Sequence, residues 1–173
     1  MKLNSLDKLL EDSLKDIYSA ESQQVKSLPR MAKRASSETL KEALLEHLEE
    51  TKNQVNRLNT IAQTLNIKLS GKKCKGMEGL IEEGKEVLEA DGDPSVIDAA
   101  LIAAVQKAEH YEISAYGSIR AIAEQLGQDE VVDLLQESLE EESAADEKLT
   151  QIAEGEVLAA SEDDSDEEQA SMR

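Results

Sequence analysis

Residues 44–62 read LLEHLEETKNQVNRLNTIA, and residues 135–153 read LQESLEEESAADEKLTQIA. A shift of 91 positions, the difference between 50 and 141, aligns the two stretches without a gap. Apolar residues in both recur every three or four positions, which is the period of one face of an α-helix. The same shift aligns Glu21 with Glu112 in the segments that precede them. The sequence therefore predicts two related helical hairpins packed about a pseudo-twofold axis.

The apolar period predicts long helices over residues 3–33, 37–66, 94–125 and 129–153. Asn4, Ser36 or Ser37, and Asp93 followed by Pro94 are typical helix starts. Pro29 lies inside the first helical pattern, where it predicts a kink or tightened turns instead of a clean end. Residues 67–93 contain a basic, glycine-bearing loop and a short helix. We therefore expect an all-α antiparallel four-helix bundle over residues 1–153, with a long crossover between its second and third helices.

The composition limits the function. The chain of 173 residues carries 38 acidic against 19 basic residues, a formal net charge of -19. This excess argues against nucleic acid as a partner and favours cations. A single cysteine, a charged N-terminal stretch and no apolar run of about 18 residues predict a cytoplasmic protein without a membrane span. Residues 154–173 are predicted to be a disordered acidic tail.

Acidic residues occupy helix faces that are otherwise apolar. Glu21 and Glu112 both lie on inward stripes, and like-charged carboxylates are costly to bury unless a cation neutralises them. The pseudo-twofold predicts that this pair meets Glu50 and Glu141 in the middle of the bundle. The alternative is that the acids lie at solvated edges of the stripes. The candidate metal ligands are Glu21, His47, Glu50, Glu109, Glu112, Glu141, Glu142 and Asp146.

Several strings resemble the ferritin-like superfamily and, more closely, the YciE/YciF family of bacterial stress-associated ferritin-like proteins. They include Asp16-Ile-Tyr-Ser-Ala-Glu-Ser22, Glu109-His-Tyr-Glu-Ile-Ser-Ala-Tyr-Gly117 and Glu140-Glu-Glu-Ser-Ala-Ala-Asp-Glu-Lys-Leu149. The similarity runs in order through about residues 3–153. It implies a four-helix bundle that holds two metal ions between its helices.

The resemblance also implies a ligand pattern, from which this chain departs. Ferritin-like sites take one Glu from each of two helices and a Glu-x-x-His from each of the other two. By position, Glu21 and Glu112 are the single glutamates, and Glu50 and either Glu141 or Glu142 are the bridging ones. The histidine positions hold Asn53 and Ala144 or Ala145. The site is thus expected to be rich in oxygen ligands and to hold two iron ions, or manganese or another divalent metal.

Three functions remain open at this stage. The first is a di-metal oxidase or peroxidase-like protein for defence against oxidants. The second is iron handling without storage in a cage, and the third is a structural or adaptor bundle with a vestigial metal site. A homodimer is expected, and because the chain has no Cys-x-x-Cys pair, electrons would come from an external donor.

Overall fold

The computed structural model describes residues 4–160. It contains five α-helices, followed by a π-helical segment: α1 Leu6–Arg34, α2 Glu38–Thr64, α3 Lys75–Glu89, α4 Pro94–Gln125, α5 Asp129–Ile152 and the π-helical segment Ala153–Val157. The hairpins α1/α2 and α4/α5 pack together through α2 against α5 and α1 against α4. No strand occurs between residues 4 and 160. The predicted all-α bundle with a helix in its crossover is confirmed.

Local sequence explains where the helices begin. The Ser5 hydroxyl, and not Asn4, caps α1 by accepting a hydrogen bond of 3.3 Å from the Lys8 amide. Ser37 caps α2 in the same way, and Asp93 caps α4 immediately before Pro94. Such side-chain acceptors satisfy amide groups that have no partner inside the first turn.

The end of the first helix agrees with the sequence pattern, whereas the last helix ends later than the pattern suggests. Helix α1 continues through Pro29 to Arg34. Beyond α5, the chain stays helical through the π-helical segment to residue 160, whereas the prediction placed the tail from 154 onward. Val157 is buried at the end of this extension, which explains why the chain stays helical there. The disorder predicted for residues 161–173 lies outside the described residues.

The apolar core has two parts. One contains Leu14, Ile17 and Leu135, and the other contains Leu28, Leu44 and Leu149. Along each long helix, the residues of the two parts are separated by a short stretch of buried polar side chains. The bundle therefore has a polar layer between two apolar ends. Within the described residues, no helix is long and apolar enough to cross a membrane.

Candidate metal centre

Four helices contribute one or two acidic or basic side chains each to the buried polar layer. Its five acidic or basic members are at most 5 % exposed, and they are Glu21 from α1, His47 from α2, Glu109 and Glu112 from α4, and Glu142 from α5. They form two groups whose ligand atoms lie within 4.8 Å of one another. His47 and Glu109 belong to one group, Glu21 and Glu112 belong to the other, and Glu142 belongs to both. We call these five side chains the carboxylate cluster.

Many oxygens of the carboxylate cluster lack a hydrogen-bond donor. Both carboxylate oxygens of Glu109 and of Glu142, Oε2 of Glu21 and Oε1 of Glu112 are buried without a hydrogen-bond partner. A buried carboxylate oxygen without a donor is costly, since its hydration is lost and nothing replaces it. Four carboxylates and one imidazole are ligands that suit iron or manganese. The residues present therefore fit a pair of divalent metal ions.

Burial and mutual repulsion perturb the acids strongly. Burial, together with neighbouring carboxylates, raises the pKa of Glu21 to about 8 and the pKa values of Glu112 and Glu142 well above the ordinary range. These shifts favour the neutral acid in the absence of a cation. The cluster thus cannot hold all its carboxylates ionised unless positive charge enters the layer.

His47 supplies part of that positive charge. Its Nε2 lies 3.0 Å from Glu109 and 3.9 Å from Glu142, and its Nδ1 lies 3.3 Å from Glu50. Burial alone would lower the pKa of His47, but Glu109 and Glu50 outweigh it and raise this pKa to about 10. Burial would likewise raise the pKa of Glu109, but the charge of His47 outweighs it and lowers that pKa.

Tyr116 completes the layer on the side of Glu21. Its buried hydroxyl donates a hydrogen bond of 2.5 Å to Oε1 of Glu21. This bond fixes one oxygen of Glu21 and leaves Oε2 without a donor. Tyr116 can therefore orient Glu21 and keep a proton close to the cluster.

Three of the predicted ligands lie outside the carboxylate cluster. Glu50 is 36 % exposed and reaches only His47. Asp146 accepts a hydrogen bond from Gln106 and lies 3.4 Å from His110. Metal ligation by either of these two residues stays a prediction.

Glu141 is held away from the cluster by a residue that sequence reasoning missed. Arg57 on α2 donates two hydrogen bonds to Glu141, of 2.9 and 3.0 Å, and Gln54 donates a third of 3.1 Å. The expected meeting of Glu50 and Glu141 with Glu21 and Glu112 in mid-bundle is therefore not observed. Of the two neighbouring acids on α5, the cluster takes Glu142. The sequence signal for Arg57 is weak, because basic residues commonly flank the apolar stripe of a helix.

Comparisons with known proteins agree with this fold. The YciF protein of Escherichia coli strain K12 is 46 % identical over 154 residues, which cover 88 % of this chain and 93 % of that protein. The crystal structure of the E. coli stress protein YciF matches with a TM-score of 0.85 at 45 % identity and covers 87 % of this chain and 96 % of its own.

Two further solved structures are similar. A protein of Rhodopseudomonas palustris, described as a putative structural protein, matches with a TM-score of 0.85 at 42 % identity, over 88 % of this chain and 97 % of its own. A protein of Xanthomonas campestris pv. campestris has a TM-score of 0.74 at 22 % identity, over 93 % of this chain and 99 % of its own, which shows the shared fold alone.

The model of one protein family matches residues 5–162, and its description is "Domain of unknown function (DUF892)". This match covers nearly the whole chain and agrees with the identity to YciF. The resemblance to the YciE/YciF family is thereby confirmed, and the chain belongs to the DUF892 family.

Proposed function

We propose that this protein is a ferritin-like carboxylate protein that binds two divalent metal ions, iron or manganese, in the polar layer and serves in defence against oxidants. One observation carries the proposal: six buried carboxylate oxygens of Glu21, Glu109, Glu112 and Glu142 have no hydrogen-bond donor. Divalent cations would both replace the missing donors and remove the repulsion among the acids.

The side chains of the cluster have distinct roles in this proposal. Glu142 belongs to both ligand groups and is suited to bridge two ions. His47 and Glu109 complete one group, while Glu21 and Glu112 complete the other. The bound metals would supply electrons to oxygen or peroxide. Tyr116 holds Glu21 in place, and the two apolar parts of the core keep bulk water away from the layer.

The relatives support the role in defence only by their names. The E. coli protein is described as a stress protein, and that description is the reason to propose a stress function here. The single cysteine means that electrons for repeated turnover would come from an external donor. Location in the cytoplasm and homodimer formation remain predictions.

Elemental analysis of protein purified from cells grown with iron or manganese tests the metal centre. We expect about two ions per chain, as in related carboxylate bundles, and less than half of that in Glu112→Gln and Glu142→Gln. Glu140→Gln is the matched control, because Glu140 is exposed on the same helix and outside the cluster. Wild-type protein without metal, or equal metal content in all three variants, would overturn the proposal.

A structural role is the second candidate, since the relative from R. palustris is described as a putative structural protein. In that case the acids of the layer stay protonated and the bundle functions without metal. The two candidates differ in thermal unfolding. A metal bound at a concentration 100-fold above its Kd adds about 2.7 kcal/mol of stability, whereas a melting temperature unchanged by metal or chelator favours the structural role.

A further inference from the structure

A pocket of about 170 Å³ lies between α2 and α5, beside the carboxylate cluster. His47 and Glu50 line it together with the small side chains of Ala43, Ala144 and Ala145. A water molecule occupies about 30 Å³ in the liquid, so the pocket has room for several. It is large enough for a small ion that keeps part of its hydration shell.

His47 belongs to both the pocket and the cluster. Its Nδ1 lies 3.3 Å from the half-exposed carboxylate of Glu50, and its Nε2 lies 3.0 Å from buried Glu109 without the alignment of a hydrogen bond. The imidazole therefore separates the pocket from the cluster. An ion held by Glu50 would therefore be separated from the buried carboxylates by the His47 side chain.

The internal repeat shows that the pocket is specific to one half of the molecule. Lys148 forms an ion pair with Glu46, and the shift of 91 positions relates this pair to the ion pair of Arg57 with Glu137. Both pairs join α2 to α5. The interface between α2 and α5 therefore has two ends, and the shift of 91 positions pairs each residue at one end with a residue at the other.

The end at Arg57 is sealed. Arg57 also donates hydrogen bonds to Ser138 and Glu141, and Gln54 donates to Glu141 as well. These contacts fill the space between the helices with polar side chains that bind one another.

The end at Lys148 is open at the equivalent positions. The shift relates Ser138 to His47, Glu141 to Glu50 and Gln54 to Ala145. An alanine thus stands where the sealed end has a glutamine. Within residues 4–160, Lys148 forms an ion pair with Glu46 alone, whereas Arg57 binds three residues. The pocket results from these two differences.

We propose that this pocket is the port through which divalent cations enter the carboxylate cluster, with Glu50 as the first carboxylate they meet and His47 as the gate. The inference rests on the proposed metal centre. A cation is the occupant that the chemistry favours, since Glu46 and Glu50 at the pocket are acidic and the chain has a net charge of -19. The lining has two basic residues, and each faces acids: Lys148 pairs with Glu46, and His47 lies between Glu50 and Glu109.

The test is the rate at which Co²⁺ enters metal-free protein, followed by its absorption after rapid mixing. The double variant Ala145→Gln with Lys148→Arg copies the sealed end into the open one. We expect uptake to become at least tenfold slower while the number of ions bound at equilibrium stays the same. Ala144→Leu, which adds bulk to an exposed alanine of the lining, is a second variant with the same expectation and little risk to folding.

Ala103→Leu is the matched control. Ala103 lines a separate groove between α3 and α4, away from the cluster, so this variant should take up Co²⁺ at the wild-type rate. Charge variants test whether Co²⁺ passes these side chains: Lys148→Gln should speed uptake and Glu46→Gln should slow it, both more strongly at low salt. Uptake at the wild-type rate in both variants would contradict entry through this pocket.

The outcomes separate the port from the metal centre itself. Wild-type protein that binds no Co²⁺ refutes the proposed function. Co²⁺ binding with the same rate in the wild type, the sealed variant and Ala144→Leu refutes the port alone. A loss of bound ions at equilibrium in the sealed variant and in Ala144→Leu would also refute the port, since the pocket would then be part of the metal site.

Discussion

Arg57 decides which acid of α5 reaches the polar layer. Its guanidinium binds Glu137, Ser138 and Glu141, and the Arg57 side chain is only 9 % exposed. Successive residues of a helix point about 100° apart, so the arginine that holds Glu141 outward leaves Glu142 facing inward. A contact between α2 and α5 thus selects a single carboxylate for the cluster.

Loss of Arg57 should therefore destabilise the bundle. Arg57→Ala removes charge-assisted hydrogen bonds to a partly buried carboxylate and is expected to cost about 2 kcal/mol of unfolding free energy, measured by urea denaturation. Lys148→Ala, at the equivalent position in the repeat, removes an exposed ion pair and should cost clearly less. Equal losses in the two variants would contradict the importance given to the Arg57 network.

Asp16 belongs to a second polar group, outside the carboxylate cluster. The Tyr111 hydroxyl donates a hydrogen bond of 2.6 Å to Asp16 and lies 2.8 Å from the thiol of Cys74, while Lys72 lies 3.2 Å from the other Asp16 oxygen. Burial alone would raise the pKa of Asp16, but its contacts with Cys74, Tyr111 and Lys72 outweigh burial and lower it. The ionised form is therefore favoured in the folded protein.

The lowered pKa of Asp16 determines the direction in which stability changes with pH. Because the pKa of Asp16 is lower in the folded chain than in the unfolded chain, its contribution is fully present above about pH 4 and is lost as the pH falls through the folded value. Asp16→Asn should cost about 1 kcal/mol at pH 7, and the difference from wild type should shrink below about pH 4. Urea denaturation across this range measures the difference, and a gap that stays constant with pH would refute the assignment.

At the scale of helices, α3 is fixed by a close approach of its backbone to α4. A Cβ atom built on Gly76 would lie 2.7 Å from Cε2 of Tyr111. The Tyr111 ring has little freedom to move, since its hydroxyl is bonded to Asp16. Glycine at position 76 is therefore needed for the first turn of α3 to pack on α4.

Substitution of two glycines in α3 tests this packing. Gly76→Ala should cost about 1–3 kcal/mol because the added methyl group overlaps the ring of Tyr111. Gly79→Ala is the matched control in the same helix, and it should stabilise by about 0.5–1 kcal/mol since nothing lies within 4 Å of the added atom. Thermal unfolding of both variants gives the comparison. A neutral Gly76→Ala would mean that α3 can shift freely on α4.

The helices could be predicted from sequence because their signals are local. The apolar period located α2 and α4, and caps such as Ser37 and Asp93 located their beginnings. The same period identified Glu21 and Glu112 as inward acids. The period and the repeat together left the choice between Glu141 and Glu142 open, since the choice depends on an arginine 84 residues away in the sequence.

The pocket also could not be predicted from sequence patterns. Its lining includes the small side chains of Ala144 and Ala145, the positions that the resemblance assigned to an absent histidine. A small side chain gives no periodic signal, and its effect appears only when α2 and α5 are packed together. The continuation of α5 to residue 160 has a similar cause, since it depends on the burial of Val157 against the bundle.

For the whole molecule, the excess of negative charge affects both folding and metal binding, because the chain is strongly acidic and also buries an acidic layer. Two apolar ends stabilise the bundle, while the polar layer between them holds four carboxylates with one imidazole. The net charge of -19 raises the concentration of cations near the surface. The same charge thus opposes compactness and favours loading of the layer with metal.

Removal of residues 161–173 separates the contribution of the overall charge from that of the cluster. The segment carries six acidic residues and one arginine, so the formal net charge changes from -19 to -14. The carboxylate cluster lies entirely within residues 4–160, and the number of bound ions should therefore stay the same. The rate of Co²⁺ uptake should fall about two- to threefold at low salt, since weaker steering lowers the rate of encounter.

Ionic strength provides the decisive comparison for the shortened chain. At about 0.01 M salt the screening length is about 30 Å, and at about 1 M it is about 3 Å. The difference in uptake rate between the full and shortened chains should therefore disappear at high salt. A full-length variant with the six acids changed to Asn or Gln should match the shortened chain at both salt concentrations. A rate difference that persists at high salt, or a loss of bound ions, would show that these residues act on the metal directly and not through net charge.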